Sequence, residues 1–329
     1  FFLLFSVVMN KAKKLEGSGD EMPVVGLGTW KIPNDVCTET VYLAIKNGYR
    51  HIDCACDYGN EMEVGKGIQQ AIDEGLVTRK DLFVTSKLWN TYHRPEHVLP
   101  ACKKTLKDLN LDYVDLYLIH FPISLKFVDF ETRYPPGWKV QEDDKEVSWD
   151  PVSIQDTWRA MEEICDSGLA KNIGVSNFSG SLMIDLLSFA RIRPAVLQIE
   201  IHPYFPQTHF IKWLQEQKIV VTAYSSFGSI SYLDVFSDFS KSVDSLLELD
   251  TVKSIASTHN KSTGQILLRW AVQQNCIVIP KSTNEQRIKD NINLFDFNLS
   301  DSEMEELSKL NRNIRFNDPG RYANLPIFA

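Results

Sequence analysis

With 329 residues the chain has room for two average domains or one large α/β barrel, and it is far too long for a small scaffold stapled by disulfides. Its 35 Lys and Arg against 43 Asp and Glu leave a formal charge of -8 with no block of like charge, which disfavours a binder of nucleic-acid backbones. At 43% hydrophobic and 24% charged residues the composition supports a sizeable core and excludes intrinsic disorder.

The apolar run Phe1 to Val8 is too short to span a bilayer and lacks the basic flank of a signal peptide, while Met9 opens a polar run. Residues 1–8 are therefore expected to be a leader or an alternative start, and residues 9–329 a single domain. From Pro23 onward short β-branched runs alternate with helix-period segments, predicting strands at Val24–Gly28, His51–Asp53, Leu82–Lys87, Val114–His120, Asn172–Ser176, Val196–Glu200, Val220–Tyr224 and Cys276–Pro280. Helical patterns fall between them, among others at Glu61–Glu74, Pro95–Leu109, Ile154–Ser167, Leu182–Ala190, Phe210–Gln217 and Thr251–Thr258. Eight such units make a (β/α)8 TIM barrel. Two long connections, Phe121 to about Pro151 and Ser225 to about Leu249, each follow a strand and should rise from the C-terminal face, where this fold carries its sites. The tail from Asn311 is placed to fold over the same face.

Asp53, Lys87 and His120 each end a predicted strand, and Tyr58 follows Asp53 by one short loop. Charged groups ending apolar strands either pair as a rim salt bridge or face a cleft. In a cleft, Lys87 would make the Tyr58 phenol more acidic, Asp53 would hold the ammonium, and His120 would orient a carbonyl. Proton donation to a developing alkoxide asks for a hydride donor and needs no metal. The segment Gly26-Leu-Gly-Thr-Trp30 does not complete G-x-G-x-x-G, so a Rossmann site is excluded. Lys281 and Ser282 end the eighth strand and Arg287 lies on the next helix, either as a phosphate trap selecting NADP(H) or as a plain basic helix start. Trp30 and Trp89 flank the rim residues, and with Phe121 they are read as walls of an apolar substrate pocket.

Taken with Gly48-Tyr-Arg-His-Ile-Asp53, Asp57-Tyr58-Gly-Asn-Glu61, Ser86-Lys87-Leu-Trp89, Ile119-His120-Phe-Pro122, Gly174-Val-Ser-Asn-Phe178 and Ile279-Pro-Lys-Ser282, the chain from about Leu15 to Phe328 resembles the aldo-keto reductases, and within them the xylose reductases of yeasts. The resemblance implies a catalytic tetrad of Asp53, Tyr58, Lys87 and His120. It implies a nicotinamide held by Ser176, Asn177 and Gln198 and stacked on Tyr224, with Ser225 and Phe227 also on the cofactor side. Lys281, Ser282, Thr283, Arg287 and Asn291 match the adenosine end, and Asp234 stands where a Glu reaches the ribose, so NAD(H) use is open beside NADP(H). Sugar contacts match Trp30, Asp57 and Asn317. The departures are Gly320-Arg-Tyr322 for Trp-Asp-Trp, Ile201 for a His and Thr283 for an Asn, while the segment Asn284 to Asn291 resembles carbonyl and hydroxysteroid reductases.

His93-Arg-Pro-Glu-His97 has the spacing of a zinc site, but Pro95 favours a helix start. Cys54-Ala-Cys56 lacks a resolving partner and reads as packed thiols; with no CxxC, all six cysteines point to a reducing, cytoplasmic setting. The expectation is an NADPH-dependent reductase of aldehydes or xylose-like aldoses, monomeric or homodimeric, acting on a small molecule with neither nucleic acid nor membrane as partner. The alternatives are a carbonyl or hydroxysteroid reductase on the same barrel and a non-catalytic nucleotide-binding subunit.

Overall fold

In the computed structural model, which describes residues 11–141, 143–235 and 237–328, the chain opens with an antiparallel hairpin of β1 (Ala12–Lys14) and β2 (Glu21–Pro23). The leader expected at 1–8 lies outside the described residues. Eight further strands follow: β3 (Leu27–Gly28), β4 (His51–Asp53), β5 (Phe83–Leu88), β6 (Val114–Ile119), β7 (Ala170–Ser176), β8 (Val196–Glu200), β9 (Val220–Tyr224) and β10 (Ile277–Val278). They are the eight predicted strands, hydrogen-bonded in parallel in chain order. A parallel bridge between Val25 and Val278, with the Gly26 N–H donating to the Val278 carbonyl at 2.8 Å, joins the first strand to the last and closes the barrel. Closure leaves the eight-stranded sheet without an open edge.

The glycines that fail the dinucleotide fingerprint have their explanation at this seam. A Cβ on Gly28 would stand 2.6 Å from the Ile279 carbonyl oxygen, and one on Gly26 would stand 2.5 Å from Nδ1 of His51. They let backbone and ring approach where the barrel closes.

The predicted helices are all present, with ends displaced by at most two residues. The helices Ile154–Asp166 and Gly180–Phe189 are capped by Ser153 and Ser179, whose hydroxyls accept from Asp156 and Leu182 N–H groups. A polar cap and first turn carry no apolar period, so periodicity finds the second of these helices late. Helices Asn34–Lys46 and Thr263–Gln273 help complete the outer ring. Helix Glu61–Asp73 packs on Pro95–Leu109 through Gly65, where a Cβ would meet the Leu109 carbonyl oxygen at 2.4 Å. Because the obstacle is backbone, Gly65→Ala is expected to destabilise the fold by about 1–3 kcal/mol, read as a lowered urea midpoint with an unchanged slope.

The hairpin plugs the N-terminal end of the barrel: Leu15 and Met22 are buried against Phe83, Leu116, Val196 and Ile277. At the other end both long connections rise above the strands, and the tail crosses over them. The carboxylate of Glu200, at the end of β8, accepts from the backbone N–H of Phe316 at 2.6 Å and of Asn317 at 2.7 Å, which pins the tail to the rim. Burial by itself pushes the Glu200 carboxyl up, but the His202 ring at 2.8 Å, Arg315 and the Phe316 N–H hold it below its ordinary value.

Candidate active site

Three strand ends and one loop build the centre of the C-terminal face. Lys87 and Asp53 have no more than 2% of their side chains exposed and pair at 2.6 Å. The Lys87 ammonium also donates to the Cys54 carbonyl at 2.9 Å and to the Tyr58 hydroxyl at 3.2 Å. Gln198 on β8 secures the second Asp53 oxygen with an Nε2 bond of 2.7 Å, so both carboxylate oxygens are spoken for. His120, just past β6, sets its ring edge-on to Tyr58 at 5.8 Å between centroids, and its Nδ1 lies 2.9 Å from Oδ1 of Asp57. Alternatives of a rim salt bridge and a cleft are thus combined: the ion pair is buried, and Tyr58, Asp53 and His120 line a cleft above it.

The expected acidification of Tyr58 is corrected by its surroundings. Burial first, then the Asp53 and Asp57 carboxylates, push the phenol well above the ordinary tyrosine value. One ammonium shared with Asp53 and a carbonyl cannot outweigh those effects, and the phenol is held neutral.

Trp30, Asp57, Trp89, Phe121 and Asn317 line the same cleft, as do Ser176, Asn177, Gln198, Tyr224, Ser225 and Phe227. Asn177 adopts a left-handed backbone, with φ 63°, and its amide donates to the His120 carbonyl at 2.8 Å. Ser176 donates to the Gln198 carbonyl at 2.9 Å. A second cleft adjoins the first and shares Trp30, Phe227, Ser231 and Lys281 with it. It holds Asp234, Ser282, Thr283, Arg287 and Asn291. Here Arg287 Nε donates to the Ser282 hydroxyl at 3.3 Å, and Asn284 caps helix Glu285–Ile292 by accepting from the Arg287 N–H.

The donor set of this outer cleft fits a phosphorylated ligand. Lys281 has no hydrogen-bond or ion-pair partner among the described residues, and partial burial followed by the charge of Lys31 hold its ammonium below the ordinary lysine value. Cations that repel one another beside a helix N-terminus are satisfied by an anion. Asp234, expected at a ribose, pairs with Lys31 at 3.2 Å, and Lys31 also donates to the Ser231 carbonyl at 2.9 Å.

Residues that sequence reading left out of the site include Trp138, Tyr232 and Tyr322 in the inner cleft and Lys31 in the outer one. Tyr322 had a signal, as a departure in the tail; Trp138 sits within a long connection that offers no period to read. The other sequence candidates are structural. Pro95 is the first residue of its helix and the His97 ring stacks on Phe127 at 3.6 Å. Cys54 and Cys56 are buried, and burial followed by Glu61 pushes both thiols well above their ordinary value.

Beneath the cleft, Glu61 accepts from Ser86 at 2.6 Å and Thr105 at 3.2 Å, and burial pushes its carboxyl up to about 8. A carboxyl that keeps its proton in the fold but loses it near 4.3 when unfolded lowers stability as pH rises between those values. The melting temperature of Glu61→Gln should therefore fall less than that of the wild type between pH 5 and pH 8, as followed by circular dichroism.

The sequence profile of the Aldo/keto reductase family matches residues 24–312. The chain is 53% identical over 315 residues to the 4-dihydromethyl-trisporate dehydrogenase of Mucor mucedo, covering 95% of this chain and 98% of that one. It is 52% identical over 316 residues to the NAD(P)H-dependent D-xylose reductase of Aspergillus niger, covering 94% and 97%. Among solved structures the aldose reductase from Schistosoma japonicum superposes with a TM-score of 0.84 at 39% identity, covering 97% of this chain and 98% of that one. The closed barrel, the buried Asp53–Lys87 pair under Tyr58 and these relationships lead to one conclusion: the chain belongs to the aldo/keto reductase family.

Proposed function

We propose that the chain reduces the carbonyl of aldehydes and open-chain aldoses to the alcohol using NADPH, with Tyr58 as the proton donor. The observation that carries this reading is the contact of Tyr58 with Lys87 at 3.2 Å inside a cleft that runs into a cationic one. The residues of the two clefts fit a dinucleotide, with Ser176, Asn177, Gln198 and Tyr224 at one end and Lys281, Ser282, Arg287 and Asn291 at the other. When bound, the nicotinamide supplies the hydride. The protein's own part is to bind and polarise the carbonyl oxygen with Tyr58 and His120. A neutral phenol is the form required, because the proton must stay on Tyr58 until the oxygen becomes an alkoxide, a far stronger base than phenolate. Lys87 then stabilises the phenolate left behind, Asp53 and Gln198 hold Lys87 in place, and the indoles of Trp30 and Trp89 keep water from the reacting atoms.

The test is NADPH oxidation with glyceraldehyde, xylose and a ketosteroid in parallel; turnover of none of them overturns the reading and favours a binding subunit. A second reading, with a bulky apolar carbonyl compound as substrate, draws support from the aromatic lining of the cleft; the ketosteroid arm tests it. A cytoplasmic location fits six free thiols. Each candidate site is complete within one chain, so monomer and homodimer serve equally.

Cofactor choice rests on Arg287. Replacing it with Ala removes charge-assisted bonds to a 2′-phosphate worth roughly 1.5–3 kcal/mol, or about ten- to more than a hundredfold in NADPH affinity. NADH, with a hydroxyl there, should lose far less. Dissociation constants from quenching of tryptophan fluorescence decide it: equal loss for both cofactors makes Arg287 a structural residue.

A further inference from the structure

Tyr322 ends the short helix Pro319–Tyr322 and closes the inner cleft against Trp138, with ring centroids 5.3 Å apart. Its phenol donates to Oδ1 of Asn317 at 3.1 Å. Nδ2 of Asn317 donates in turn to the Tyr224 hydroxyl at 3.1 Å, and that hydroxyl donates to Oδ1 of Asn177 at 2.6 Å. Every donor in this chain points the same way, so the Asn317 carboxamide has one orientation, with its oxygen and one N–H already engaged. The backbone gives it no slack either, because the Asn317 N–H is held by Glu200 at 2.7 Å.

Asn317 is one of the polar side chains of the cleft, which Trp30, Trp89, Phe121 and Trp138 line with apolar surface. A polyol entering there needs hydrogen-bonding groups to replace the water it leaves behind, and an aldehyde with an apolar substituent does not. We propose that Tyr322 is a specificity-determining residue: by holding the Asn317 carboxamide against Tyr224 it withholds that group from sugar hydroxyls and tilts the cleft toward aldehydes with apolar substituents. The inference rests on the reductase reading and deepens it. Burial first, then Tyr224 and Asp318, push the Tyr322 phenol well above the ordinary value, so the donor persists across neutral pH.

The experiment compares kcat/KM for xylose with kcat/KM for butanal, both with saturating NADPH. Tyr322→Phe keeps the ring against Trp138 and removes only the hydroxyl. The xylose-to-butanal ratio should rise about three- to tenfold, through a lower KM for xylose, as one hydrogen bond to the sugar becomes possible. Tyr322→Leu, a second variant without the hydroxyl, should shift the ratio the same way. Adding Asn317→Ala to Tyr322→Phe should cancel the gain, since the released carboxamide is its source. A ratio that stays put in both single variants, or a gain that survives Asn317→Ala, overturns the inference while leaving the reductase reading intact. Absence of NADPH oxidation with every aldehyde, in the wild type as in the variants, overturns both.

Discussion

Tyr58→Phe is expected to lower kcat by about 10²–10⁴, the range over which a positioned proton donor accelerates a reaction. The variant removes one oxygen atom, keeps the ring beside His120, and leaves the Asp53–Lys87 pair buried as before. Its effect should fall on kcat and kcat/KM together, because the phenol acts only as the alkoxide develops. NADPH affinity should stay within a few-fold of wild type, since Ser282, Arg287 and Asn291 line the outer cleft and Tyr58 does not. Steady-state assays with glyceraldehyde and fluorescence titration with NADPH measure the two quantities separately. Turnover above a tenth of wild type would sink the proton-donor assignment.

Lys87→Met should be damaging in two distinguishable ways. It removes the cation beside the phenol, and it strands the Asp53 carboxylate, whose side chain is 2% exposed, without its ion partner. Breaking a buried pair from one side costs about 3–5 kcal/mol, which urea unfolding will register directly. Replacing both partners, as Asp53→Asn with Lys87→Met, removes the stranded charge and should recover much of the stability. Activity should not return, because nothing is left to stabilise the Tyr58 phenolate. Recovery of turnover in the double variant would show that the pair is there for the fold alone.

Much of the fold and the centre of the candidate site could be read from the sequence because both depend on local pattern. The strands announced themselves as β-branched runs, and Asp53, Lys87 and His120 stood out as polar groups ending them. The hairpin strands Ala12–Lys14 and Glu21–Pro23 hold no β-branched residue on which a strand pattern could rest. Lys31 reaches Asp234, and Tyr322 reaches Asn317 and Trp138, through the course of loops and tail, which no periodicity encodes. The direction of the Tyr58 shift also needed distances: the sequence reading weighed only the effect of Lys87 on the phenol, whereas in the folded chain burial and then the Asp53 and Asp57 carboxylates outweigh it. The glycines of the first strand misled only as a motif; their use is steric, at the barrel seam.

The plug formed by β1 and β2 gives the molecule a handle. Leu15 and Met22 seal the end of the barrel remote from Tyr58, and the Lys11 carbonyl beside them accepts from the Val24 N–H at 2.9 Å. A surface, bead or fusion partner coupled at this end of the barrel would leave the mouth clear for substrate traffic. The same attachment made after Phe328 would sit a few residues from Tyr322 and crowd that mouth. Immobilised preparations of the two kinds should therefore differ in how freely bulky carbonyl compounds reach the reacting atoms.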